Sequence, residues 1–185
     1  MALMDPHQLI FGMTLLGIKI NMHNKGFTLI ELILYITIIT IVMGALIPFA
    51  WSVIEGGVKS SVEQEVSSQA RFVSERIKYE IRNANNINNV LASSIDLNTD
   101  INATTVINLS GDKITIKYGA GGTPINLNSN DTSVTSLVFT DYQSADTKTK
   151  HIQFTFTIDD NYTGSRQEYN APAISLESSA EIRSN

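Results

Sequence analysis

Residues 32–54 read LILYITIITIVMGALIPFAWSVI, 23 positions without one charged side chain. About 20 such residues suffice for a helix to cross the hydrocarbon core of a bilayer. A soluble core helix that is apolar all round must be covered on every side, and a 185-residue chain has too little remaining protein for that. The segment therefore reads as a membrane span. Lys19 and Lys25 lie before it and Glu55 follows it, so the positive-inside bias places the N-terminus in the cytoplasm and the residues after 54 outside. A removable secretory signal needs a shorter apolar core with small residues at its cleavage site, and the span is expected to stay in the mature protein. Residues 9–18 (LIFGMTLLGI) form a second apolar stretch that is too short to span. A start at Met22 instead of Met1 would leave the short basic leader MHNKG, and this start is the expected one.

Glu31 lies near the beginning of the apolar run, where an isolated carboxylate costs a few kcal/mol, less near an interface than at the bilayer centre. Two roles fit it. Thr28 and Glu31 have the S/T-x-x-E spacing of a capping box, in which the two side chains satisfy amides at a helix start. Alternatively, a positive group on a neighbouring molecule neutralises the carboxylate and sets the register of lateral packing. Spacing alone does not choose between them.

The residues Lys25-Gly26-Phe27-Thr28-Leu29-Ile30-Glu31, followed by the long apolar run, resemble the N-terminus of type IV pilins. The resemblance implies cleavage by a membrane-embedded prepilin peptidase between Gly26 and Phe27, and methylation of the new amine at Phe27. Glu31 then becomes the fifth mature residue, the position at which this family engages the terminal amine of an adjacent subunit. Such an amine titrates near ~8 and supplies a positive partner at neutral pH. The resemblance therefore favours assembly over capping, although one glutamate can do both. Pro48 falls at the twenty-second mature position, where many pilins carry a proline that bends or locally melts the helix; a tolerated kink in any membrane helix is the plain alternative. The resemblance covers residues 25–54.

Beyond Gly56-Gly57, the residues Val58, Val62, Val66, Val73, Ile77, Ile81 and Ala84 fall on one face of a helix. The charges between them, including Glu75, Arg76, Lys78, Glu80 and Arg82, are expected on a solvated face. Asn85-Asn86-Ile87-Asn88-Asn89 reads as the helix exit, and the Gly pair as a candidate hinge. The period then changes to two. Residues 113–118 (KITIKY) and the alternation of Ile152, Phe154, Phe156 and Ile158 predict strands. Weaker candidates are residues 105–109, 134–142 and 173–182, with Ser110-Gly111-Asp112 and Thr163-Gly164-Ser165 as turns. The expected fold class is α+β: a long N-terminal transmembrane and stalk helix packed on a C-terminal antiparallel β-sheet head, pilin-like. The expected divisions are a leader over 1–26, the transmembrane half of the helix over 27–54, an amphipathic stalk over 55–87 and an extracytoplasmic head over 88–185.

Residues 88–185 hold eleven acids and six bases, so the basic footprint of a nucleic-acid reader is missing and no direct nucleic-acid partner is expected. The absence of Cys excludes disulfides, thiolate metal sites and a cysteine nucleophile. His151 begins a strand and reads as a surface residue. Asp96-Leu97-Asn98-Thr99-Asp100 imitates the opening of a calcium loop, but Ile101 stands where glycine is needed and no glutamate follows at the twelfth position. No catalytic, metal or cofactor residues are assigned, and an enzyme is not expected. The Asn-x-Ser/Thr triplets at Asn102, Asn108, Asn130 and Asn161 are expected by chance in so Asn-rich a region. Loose similarity of ERIKYEIRNANNI, VTSLVFTDYQ, KHIQFTFTID and ISLESSAEIRSN to minor pilins of the protein J or tip type favours a minor over a major subunit. The implied partners are prepilin peptidase, other pilin or pseudopilin subunits, an inner-membrane assembly platform and the lipid bilayer. The implied location is the cytoplasmic membrane and then a periplasmic or extracellular filament. The rival reading is a single-span anchored binding module or adhesin that never polymerises.

Overall fold

The computed structural model describes residues 26–142 and 150–182. The expected leader and start codon, Lys25 included, lie outside the described residues. Two compact units divide the chain, Met1–Leu46 and Ile47–Asn185. Helix α1 runs over Leu29–Arg82 and continues through Pro48, Gly56 and Gly57. Its apolar window is long enough to cross a membrane, and none of that window is buried inside the protein.

In the second unit α1 turns Val66, Ala70, Val73, Ile77 and Ile81 into the core, with Val62 partly buried beside them. These positions recur every three or four residues, the spacing of one helix face. The helix stops at Arg82, earlier than the Asn-rich run suggests, and that run itself becomes strand β1 (Asn86–Leu91). A five-stranded antiparallel meander follows: β1, β2 (Ser94–Asn98), β3 (Thr105–Ser110), β4 (Lys113–Tyr118) and the two-residue β5 (Ile125–Asn126). The β3–β4 hairpin turns through Gly111 and Asp112, where Gly111 takes φ +64, a conformation that costs an L side chain and suits a two-residue hairpin loop. A three-stranded antiparallel sheet is built from β6 (Thr132–Asp141), β7 (His151–Asp160) and β8 (Ile174–Glu181).

Two sheets thus stand where the sequence suggested one, and Asn128 shows how the first is closed. Its side-chain Oδ1 accepts from the Ile114 amide at 2.9 Å and its Nδ2 donates to the Thr132 carbonyl at 3.0 Å, so a side chain takes the ladder position a further strand would need. The Lys113 ammonium donates to the Ser129 carbonyl at 2.8 Å and holds the same loop. The outer edge of β6 then meets turns instead of a strand: Phe139 N–H donates to Ala92 and Val134 N–H to Asp112, both at 2.9 Å. One continuous core results. It joins the α1 stripe to Ile95, Ile107 and Ile114 of the first sheet and to Ile152, Phe154 and Phe156 of the second. Burial of this apolar surface is the main stabilising term. The α+β layout expected from the sequence is the one observed, a long N-terminal helix whose stretch in the second unit packs on antiparallel sheets.

Candidate functional site

At the start of α1, the Glu31 amide donates to Thr28 Oγ1 at 3.3 Å and the Leu32 amide to the Thr28 carbonyl at 3.1 Å, which makes Thr28 the N-cap. Only this half of a capping box is present: among the described residues the Glu31 carboxylate makes no bond back to the Thr28 amide. Its Oε1 instead accepts from the Tyr35 hydroxyl at 3.3 Å, one helical turn on. Tyr35 also meets the exposed Phe27 ring edge-on, with centroids 6.0 Å apart. Phe27, just ahead of α1, therefore meets Tyr35 on the early turns of the helix beside Glu31, which is half-exposed and whose second oxygen is without a partner among the described residues. The spacing of four from Glu31 was the sequence signal for Tyr35, which the motif alone does not point to.

Further along, Thr37 Oγ1 and Thr40 Oγ1 donate to the carbonyls of Ile33 and Ile36, both at 2.8 Å. These bonds satisfy the hydroxyls inside the apolar span, so neither threonine presents a free polar group to lipid. Pro48 has no amide hydrogen to donate and lies inside α1, which continues through it.

The second unit contains a polar cluster that includes two charges, Arg76 and Glu80, which the sequence reading assigned to solvent. Glu80, on α1, is only 5% exposed. Its Oε1 accepts from the Tyr118 hydroxyl of β4 at 2.7 Å and from the Arg76 guanidinium at 2.8 Å, and Arg76 Nη2 also donates to the Tyr118 oxygen. Burial pushes the Tyr118 hydroxyl above its ordinary value, the bond it donates to Glu80 adds to this, and the guanidinium opposes it. The bond to Tyr118 in turn holds the Arg76 guanidinium above its ordinary value, against a smaller lowering by burial. Arg76 also lies 5.3 Å over the Tyr79 ring. Glu80 is three residues from Ile77 and seven from Val73, on the buried face of α1, so helical spacing was the signal that could have set it apart from the other charges, while its partner Tyr118 is 38 residues away.

His151 begins β7 half-exposed, its ring 6.4 Å from that of Tyr142. Asp96 and Asn98, which imitate a calcium loop, lie within β2, where the Asp96 carboxylate accepts from Thr104 and Asn88. Gly119 to Gly122 form a turn after β4, and a side chain at Gly122 would come within 2.0 Å of the Tyr118 carbonyl oxygen.

Comparison with known proteins agrees with the N-terminal geometry. The family described as the prokaryotic N-terminal methylation motif matches residues 21–47. That stretch contains the Gly26–Phe27 bond, the Thr28 cap, Glu31 and Tyr35, and it supports a type IV pilin-like N-terminal segment on an apolar anchoring helix. Neither the curated proteins nor the solved structures yield a match to the chain.

Proposed function

We propose that this chain is a non-catalytic filament subunit of the type IV pilin or pseudopilin kind, and within it a minor subunit. The observation that carries the reading is the conjunction of the methylation motif over residues 21–47 with a Glu31 carboxylate that the helix cap leaves unused. Prepilin peptidase cuts between Gly26 and Phe27, and Phe27 becomes the methylated terminus. Residues 27–54 hold the subunit in the cytoplasmic membrane with the head outside. Glu31 then accepts the terminal amine of a neighbouring subunit, and Pro48 gives the span a position at which its helix can loosen during transfer from lipid into a filament. The polar threonines are satisfied within the helix, so the transfer moves an apolar surface from lipid onto other apolar helices with Glu31 as the one charged contact. Other pilin-type subunits, an inner-membrane assembly platform and the bilayer are the partners of this cycle. The divisions proposed are the leader over 1–26, the span over 27–54, the stalk over 55–87 and the head over 88–185.

The test is Glu31→Ala in cells that make the filaments. Mass spectrometry of the N-terminal peptide reads processing, and the protein's ratio to other processed subunits in sheared filaments reads assembly. A variant that is cleaved and methylated yet missing from the filaments bears out the reading. Normal function of Glu31→Ala, with the wild-type chain uncut and confined to the membrane, would establish the anchored binding module instead.

A further inference from the structure

Strand β8 closes the three-stranded sheet on one side and pairs only with β7. The Ile182 amide donates to the Lys150 carbonyl, and in an antiparallel ladder alternate residues face the partner. Ile174, Leu176, Ser178 and Ala180 therefore turn their backbone groups to β7, while Ser175, Glu177, Ser179 and Glu181 turn theirs away. No hydrogen bond among the described residues engages that outer row. The side chains of the same four residues are exposed. On the opposite face Ile174 and Leu176 are only half-buried, although Ile158 and Phe156 beside them on β7 are fully covered. The apolar face of the sheet thus runs out at β8, and the backbone beside it is unpaired among the described residues.

Exposed edges are ordinarily blunted by charged side chains, a proline, a bulge, an inward charge or a covering element, and of these β8 carries the charged side chains, Glu177 and Glu181. β8 has no proline and no inward charge, and its register with β7 is unbroken, whereas β1 and β6 both carry register shifts. We propose that β8 is a docking edge that takes one extended segment of a different protein subunit, with Lys or Arg opposite Glu177 and Glu181 and apolar side chains over Ile174 and Leu176. Charge decides against a second copy of this chain. In any antiparallel self-pairing that uses most of β8, Glu177 comes directly opposite or diagonal to a carboxylate of the other copy, which is destabilising. On β7, Gln153 donates to Glu177 and His151 lies in register with Glu181, and no Lys or Arg stands across from either glutamate on that strand. Main-chain bonds would supply affinity and the alternate side chains specificity. The inference uses no residue of α1, so it stands or falls apart from the assembly reading.

The experiment uses the full chain in non-ionic detergent micelles with two defined probes, an alternating lysine–valine octapeptide and its glutamate–valine counterpart. The expected result is binding of the lysine peptide at least tenfold tighter than the glutamate peptide, with slowed hydrogen exchange at the amides of Ser175, Glu177, Ser179 and Glu181. Ser179→Pro removes an outward amide while leaving the β7 ladder bonds in place, and should weaken binding at least tenfold. Glu177→Lys with Glu181→Lys should reverse the preference between the peptides, which keeps the test decisive if the proline variant loses its fold. Failure of both peptides to bind overturns the proposal, as does binding without amide protection, which would mean charge attraction alone. A dimer in sedimentation that Ser179→Pro dissolves would assign the edge to a second copy and overturn the choice of occupant.

Discussion

Replacing Tyr118 with phenylalanine removes a single oxygen atom from the head, yet that atom is one of two donors to the buried Glu80 carboxylate. A hydrogen bond onto a charged group contributes about 1.5–3 kcal/mol to stability. The lower end applies here, because Arg76 stays on the carboxylate at 2.8 Å with its side chain 39% exposed to screening water. Tyr118→Phe should therefore cost about 1.5 kcal/mol in denaturant unfolding of the full chain in detergent micelles, followed by the circular dichroism of the head. pH adds a second signature. The folded Tyr118 hydroxyl is raised above 10.0, so the unfolded chain gives up this proton first. Its contribution is complete below pH ~10 and is lost as pH rises through the folded value, so the gap between wild type and variant should close at high pH. An unfolding midpoint unchanged at neutral pH, or a gap that widens above pH 10, would refute the account of Glu80 as a carboxylate dependent on this hydroxyl.

Ile77→Ala empties a fully buried position on α1 and should cost 2–5 kcal/mol in the same unfolding assay, with Lys59→Ala on the same helix near neutral. Gly122→Ala drives a methyl into the Tyr118 carbonyl and should destabilise the head more than Gly111→Ala, whose position is spatially open and carries only the cost of φ +64, about 1 kcal/mol; paired thermal melts decide it. Tyr35→Phe removes a 3.3 Å bond to Glu31 and should leave processing and filament incorporation near wild type, in contrast to Glu31→Ala, as read by the same peptide ratios.

Elements whose physics is local were legible in the sequence. KITIKY and the Ile152-to-Ile158 alternation read as strands and became β4 and β7, because period-two patterning on a half-buried sheet needs no knowledge of the partner. The candidates at 105–109, 134–142 and 173–182 correspond to β3, β6 and β8. β1 was misread as a helix exit from the composition of NINNVL, and β2 was left without an element, its likeness to a calcium loop having been set aside; pairing with each other makes both of them strands. The split into two sheets depends on the Asn128 amide, a long-range contact without a local signature. Glu80 was misplaced because it was grouped with its charged neighbours, although its spacing from Val73 and Ile77 puts it on the buried face; what the sequence could not show is the Tyr118 hydroxyl that makes burial of the carboxylate tolerable. At the N-terminus the motif identified Glu31 from sequence, but the one-sided cap and the Tyr35 contact needed coordinates.

The apolar stripe of α1 has an order of arrival built into it. Val66 to Ile81 leave the ribosome before the remaining residues of the same core, and the last large one among the described residues, Ile182, follows 101 residues after Ile81. At about 5–20 residues/s that is a delay of roughly 5–20 s before the stripe has its complete cover. Through that interval only the intervening charges, Glu75, Arg76, Lys78 and Glu80 among them, keep the nascent helix from sticking to its neighbours. Glu80 thus serves twice, as a hydrated gatekeeper on the newborn helix and as the buried carboxylate that Tyr118 later takes over.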